Sequence, residues 1–258
     1  MLSDAHAHLN DKAFFEDLDE VAKKCIDEGV RLIVNSSWDR ASSERAFELA
    51  QKYENMFFTV GVHPHNAKDT EPHDFDVLKS LAKEEKCVAW GEIGLDYHYD
   101  LSPREMQKEF FGEQLKIADE FQMPVVCHLR EAYADANEII EKNKDKIRNG
   151  FLLHCYSGSM ELARDFYNKF DFYYSFGGAI TFKNNNKKAV MEVIPRTRIL
   201  LETDCPYMTP VPKRGQRNDP SNLNLVRDEA AKNLGISKEE VEELTYQNAL
   251  RFYRIKRG

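Results

Sequence analysis

Cysteine is scarce in this 258-residue chain, and the five present, Cys25, Cys87, Cys127, Cys155 and Cys205, form an odd set without Cys-x-x-Cys spacing. That excludes a fully paired disulfide framework and fits reduced thiols in an intracellular protein. No run approaches the ~20 apolar residues a helix needs to cross a bilayer, and no apolar stretch near the start suggests secretion. A cytoplasmic protein without membrane contact is the expectation. Positive charge is also short, since 36 Lys and Arg face 44 Asp and Glu for a net charge of -8. Indiscriminate affinity for a polyanion comes from an excess of Lys and Arg, so any contact with nucleic acid has to be local. Tracts of Pro, Gly or Ser that would mark a linker are missing, and a 42% hydrophobic content suffices for one core. A single domain over residues 1–258 follows, and a monomer is expected.

Short runs rich in Val, Ile, Leu, Phe and Tyr are present near residues 2–8, 30–35, 57–62, 87–93, 124–128, 151–155, 172–176 and 198–203. Helical spacing fills the gaps between them. Gln107, Phe110, Phe111, Gln114, Leu115 and Ala118 place their apolar members on one helix face. Ser237 followed by Glu240 is a capping-box start for a closing helix through Tyr253. Eight strands alternating with helices predict a (β/α)8 TIM barrel, with a doubly wound open sheet as the competitor. In a barrel every strand delivers its C-terminal end to one mouth, and the polar residues at the strand ends favour that arrangement. The Pro-rich stretch from Cys205 to Pro220 follows the last strand, where a barrel keeps a functional loop.

Those strand-end residues are metal ligands by type. His6 and His8, two apart, can present two imidazoles on one face of a strand. Glu92, His128, His154 and Asp204 each close a later apolar run. Any one histidine alone would most often be a core residue; the conjunction of four His, one Glu and one Asp at strand ends points to a metal site. Six ligands exceed what one catalytic zinc takes. Two divalent ions are the simpler assignment, one held by His6, His8 and Asp204, the other by His128 and His154, with Glu92 common to both. Zn, Mg, Mn, Co, Fe and Ni all suit such mixed ligands. Cys127, Cys155 and Cys205 adjoin proposed ligands, yet strand alternation turns them the other way, towards packing.

The ordered motifs Ser3-Asp4-Ala5-His6-Ala7-His8-Leu9, Gly61-Val62-His63-Pro64-His65, Gly91-Glu92-Ile93-Gly94-Leu95-Asp96-Tyr97, His128-Leu129-Arg130-Glu131-Ala132, His154-Cys155-Tyr156-Ser157-Gly158 and Leu201-Glu202-Thr203-Asp204-Cys205-Pro206 resemble the TatD family of metal-dependent deoxyribonucleases. The resemblance runs on to Arg214-Gly215 and Asn218-Asp219-Pro220 and so covers nearly the whole chain. It implies an amidohydrolase-like TIM barrel that hydrolyses DNA phosphodiesters, often as an exonuclease on single strands or ends. The ligand set it implies is the same six residues. The family's pattern is departed from at His98 and Tyr156, neither of them a ligand.

On that reading Asp204 and Glu92 are the catalytic carboxylates, with Asp204 as the base that deprotonates water. His63, Arg130, Lys183, Arg214 and Tyr156 are candidate substrate contacts, the cations for phosphate and the ring for a base. Lys187, Lys188 and Arg217 extend the charge, and Tyr97 and Phe182 are further candidate rings. Glu202, two residues before Asp204, is expected to accept a hydrogen bond from a ligand histidine and fix its tautomer. The same fold also supports hydrolysis of an amide, an ester or a small phosphoester, including aminoacyl-tRNA-type esters. An inactive metal-binding adaptor is the alternative of another class.

Overall fold

A computed structural model describes residues 1–183, 185 and 187–256. Along the chain the first half runs β1 (Leu2–Ala7), α1 (Leu18–Asp27), β2 (Val30–Asn35), α2 (Arg40–Lys52), β3 (Met56–Val60), α3 (Pro72–Leu81), β4 (Cys87–Asp96) and α4 (Arg104–Glu120). It continues with β5 (Val125–Arg130), α5 (Tyr133–Lys142), β6 (Phe151–Leu153), α6 (Met160–Phe170), β7 (Tyr173–Phe176), α7 (Lys187–Val193), β8 (Ile199–Leu201), α8 (Leu223–Leu234) and α9 (Lys238–Tyr253). Eight strands alternating with helices, taken in chain order in one sheet, make this a (β/α)8 TIM-barrel fold. Among the described residues no helix is long and apolar enough to cross a membrane.

Internal contacts group the chain into two compact units, Met1–Asn35 with Gly158–Gly258, and Ser36–Ser157. In the first unit β1 pairs with β2 and β7 with β8, both parallel. The end of β8 is tied to β1 by backbone bonds from Asp204 N to the His6 carbonyl and from His8 N to the Cys205 carbonyl. Beneath them lies the buried carboxylate of Asp4. It accepts hydrogen bonds from Thr203 N at 3.0 Å, from the Thr203 hydroxyl and from His6 N at 3.3 Å. Burial raises the Asp4 pKa to about 7 against the opposing pull of these bonds.

In the second unit β3, β4, β5 and β6 follow one another in parallel. Strand β4 approaches β5 so closely at Gly94 that a Cβ there would lie 2.0 Å from the His128 carbonyl oxygen; its φ of +141° also favours glycine. Helix α4 covers this sheet with the face its spacing predicts, burying Gln107, Phe111, Gln114, Leu115 and Ala118.

Two of those buried positions are amides, and they bond backbone that no strand satisfies. Gln114 Oε1 accepts from Val62 N at 2.8 Å and from the Trp90 indole at 3.1 Å, while its Nε2 donates to the Val62 carbonyl at 3.0 Å. The side chain thereby fixes the segment that leads into His63. Replacing Gln114 by Leu would leave three buried groups without partners, a loss of about 2–4 kcal/mol. Urea unfolding of the Gln114→Leu protein is expected to show a clearly lowered midpoint; an unchanged midpoint would remove this tether.

Candidate metal centre

The first unit gathers one set of donors. His6 lies inside β1 and His8 one residue past it, and their Nε2 atoms are 3.2 Å apart. Asp204 Oδ1 stands 3.3 Å from His8 Nε2 and 3.8 Å from His6 Nε2. Strand β8 ends at Leu201, so Asp204 is reached by three further residues and adopts a left-handed φ of +54°. A non-glycine residue pays for that conformation, and here it turns the carboxylate onto the two imidazoles. Two imidazole nitrogens and a carboxylate oxygen within 4 Å of one another fit a divalent ion by donor type and by spacing.

A second set forms in the other unit around Glu92. Its Oε1 is 2.6 Å from His154 Nε2, 3.0 Å from His128 Nδ1 and 3.6 Å from His63 Nε2. His128 Nδ1 and His154 Nε2 are themselves 3.2 Å apart. Nitrogens crowded on one carboxylate oxygen in this way are again a fit for a cation. Glu92 is 3% exposed, and a carboxylate so buried needs positive or donor partners.

Behind this set stands Asp96, a residue that motif reading passed over. Its Oδ2 meets His128 Nε2 at 2.9 Å and His65 Nε2 at 3.0 Å, and its Oδ1 accepts from the backbone of His98 and Tyr99. Burial pushes the Asp96 carboxyl up, but the hydrogen bonds from His128 and His65 together outweigh it and hold the group far below the usual carboxylate range. A carboxylate that stays charged there orients the His128 ring and makes its other nitrogen a better donor. Burial depresses His128, and its bonds to Asp96 and Glu92 more than offset that, pushing it up to about 9. His63, by contrast, is held well below the ordinary histidine value, chiefly by burial, with Glu92 pulling the other way. It is therefore a neutral imidazole at pH 7, its Nδ1 fixed by the backbone N–H of His65 at 3.1 Å. The signal for Asp96 was its even spacing from Glu92 on a strand that continues to residue 96.

The remaining candidates fall in different surroundings. Glu202, fully buried, accepts a hydrogen bond from Ser175 and keeps a carboxylate oxygen within 4.8 Å of a His6 ring nitrogen. Arg130 is half-buried with its guanidinium 4.8 Å from the Tyr99 ring centre. Lys183 is exposed. Arg214, also exposed, lies 4.2 Å over the Phe182 ring and donates to the Thr209 carbonyl. Tyr156 is 3% exposed and packs edge-on against Tyr133. Of the extra cations, Lys187 donates to the Gly158 carbonyl and Arg217 pairs with Asp17, whereas Lys188 remains exposed. Four of the five thiols are buried and Cys155 is half-buried. Burial pushes Cys127 and Cys205 well above the ordinary thiol value, which keeps them protonated and suits packing.

A parallel α/β fold with histidine and carboxylate donors at its strand ends suits a metal-dependent hydrolase, and the family and relatives of this chain make it one that acts on ester bonds. The chain belongs to the TatD related DNase family, whose model matches residues 3–254. It is 42% identical over 256 residues to YabD of Bacillus subtilis, which is named a metal-dependent hydrolase, covering 99% of this chain and all of the relative. It is 32% identical over 256 residues to the 3'-5' ssDNA/RNA exonuclease TatD of Cronobacter sakazakii, covering 97% of each. Among solved structures it is similar to YjjV, a TatD homologue of Escherichia coli, with a TM-score of 0.92 and 25% identity over 99% of this chain and 98% of that one.

Proposed function

We propose that this protein hydrolyses phosphodiester bonds of DNA, removing nucleotides from single strands or free ends, with two divalent ions per chain. The observation that carries the reading is the pair of donor sets. His6, His8 and Asp204 gather nitrogen and oxygen atoms within 3.8 Å, and His128 and His154 crowd on Glu92 within 3.2 Å. One ion is assigned to the first set and one to His128, His154 and Glu92. Support for nucleic acid as substrate comes from relatives named as single-stranded DNA and RNA exonucleases. Divalent ions bound by these residues would supply charge relief for the phosphate oxygens and lower the pKa of a coordinated water.

The chain's own groups then have distinct work. Asp204 accepts the proton of the attacking water, its Oδ1 standing 3.3 Å from His8 Nε2 and 3.8 Å from His6 Nε2. Neutral His63 presents Nε2 towards Glu92 and the neighbouring donors, where it can hold a phosphate oxygen. Lys183 and Arg214, exposed on the loops after β7 and β8, attract the polyanion locally on a chain whose net charge is -8. Arg130 is assigned to phosphate as well, its guanidinium steadied by Tyr99. Tyr156, so deeply packed, serves the fold around His154 rather than a base.

The test is turnover of an end-labelled single-stranded oligonucleotide by metal-stripped protein supplied separately with Mg²⁺, Mn²⁺, Co²⁺ or Zn²⁺, with bound metal counted in parallel. Stepwise shortening restored by metal, lost in His128→Ala, and close to two ions per chain are expected. No shortening with any metal would overturn the nuclease reading, and a single bound ion would overturn the binuclear one.

A further inference from the structure

We propose that Tyr207 is the platform on which an unpaired nucleobase stacks beside the first donor set, and that this ring selects single-stranded over paired substrate. The inference rests on the nucleic-acid reading above. Tyr207 follows Asp204 by three residues and is 58% exposed, the highest value among the exposed large hydrophobic residues of the described chain. The ring stands edge-on to the His8 imidazole, with centroids 6.5 Å apart and an interplanar angle of 66°. The contact is not a face-to-face stack, so His8, a proposed metal ligand, does not cover the ring face.

The backbone under this ring is held firmly. Tyr207 N donates to the Asp204 carbonyl at 3.0 Å. Asn218, fully buried, donates through Nδ2 to the Tyr207 carbonyl at 2.7 Å and to the Thr203 carbonyl at 2.9 Å, while its backbone N bonds the Pro206 carbonyl. The next carbonyl, of Met208, presses on Gly178 so tightly that a Cβ there would sit 1.8 Å away. An exposed ring on a fixed backbone is preorganised for binding, because little freedom remains to be lost.

Other rings near the donors are already occupied. Arg104 lies 4.2 Å over Tyr97, whose hydroxyl donates to Asp135. Arg214 lies 4.2 Å over Phe182, and Arg130 4.8 Å over Tyr99. Tyr156 is buried. Base stacking tolerates any sequence but requires the base to leave its partner, so a platform of this kind discriminates by strandedness.

The experiment compares the metal-loaded parent enzyme with Tyr207→Leu and Tyr207→Phe on three DNAs: a single-stranded dodecamer, the same strand with abasic sites in the two positions at the end being cleaved, and a blunt duplex. Tyr207→Leu is expected to raise KM for the single strand about tenfold or more, the scale of one lost stack. Tyr207→Phe should stay within about twofold of the parent, since the phenyl face is retained. On the abasic strand the Leu variant should match the parent, because the base it would have met is absent. The parent's preference for single strand over duplex should shrink in the Leu variant. A Leu variant equal to the parent on the intact strand, or equally impaired on intact and abasic strands, overturns the platform while leaving the nuclease reading intact. Failure of the parent to cleave or bind any of the three DNAs overturns both.

Discussion

Replacing Asp204 by Asn is expected to lower turnover of a single-stranded oligonucleotide by at least about a hundredfold while the protein stays folded. The carboxylate is the oxygen donor of the first set, 3.3 Å from His8 Nε2 and 3.8 Å from His6 Nε2. An amide keeps the shape, yet it loses the charge that binds a cation and the basicity that takes a proton from water. Loss of a general base alone costs roughly 10²–10⁴ in rate, and a weakened cation site adds to it. The fold should tolerate the change, since the side chain is 15% exposed and the amide remains able to accept from the same neighbours. Rates under saturating metal, with metal content measured on the same sample, decide the matter. Normal turnover at full occupancy would strip Asp204 of the base role, whereas low turnover with only one ion lost would assign the defect to binding.

A second large effect is expected at Asp4, and it should appear as stability. Its carboxylate is completely buried and joins β1 to the end of β8 through Thr203 N, the Thr203 hydroxyl and His6 N. Truncation to Ala leaves these donors in a dry interior, each costing about 1–3 kcal/mol. A net loss of about 3 kcal/mol lowers the melting temperature by roughly 6–12 °C for a domain of this size. Because the same bonds hold the backbone that carries His6 and Asp204, metal affinity at the first donor set should fall as well. Asp4→Asn keeps one acceptor for Thr203 N and should lose less on both counts. Thermal melts and metal titrations of the two variants are the measurement; an Ala variant melting within 2 °C of the parent would deny Asp4 this clamping role.

The strands and helices were legible because they obey simple periodicities. Strand β2 at Val30–Asn35 and helix α4 at Arg104–Glu120 fall where apolar runs and helical spacing place them. The closing helix begins at the box formed by Ser237 and Glu240. Face alternation was a poorer guide near strand ends. Glu202 and Asp204 lie beyond β8, and His154 beyond β6, so their directions are set by turns and by the positive φ of Asp204 and Cys155. Strand β4 adds a register shift between Trp90 and Ile93, which breaks simple counting around Glu92. Asp96 and Asp4 escaped notice for a different reason. Their roles depend on partners far away in sequence, His128 and Thr203; for Asp96 the local window shows only its even spacing from Glu92, and not the partner. Charge runs do not reveal intramolecular partners: Arg217 pairs with Asp17 and lies over Phe14, and Lys187 donates to a carbonyl.

The clamp at Asp4 and Thr203 joins positions 199 apart. During synthesis, then, His6 and His8 emerge early and wait for Asp204 until most of the chain has left the ribosome, while Glu92, His128 and His154 are all present well before. The bonds that bring Asp204 to the two histidines therefore form only when the chain is nearly complete, and a chain that stops short of Thr203 would leave the Asp4 carboxylate without its chief donor.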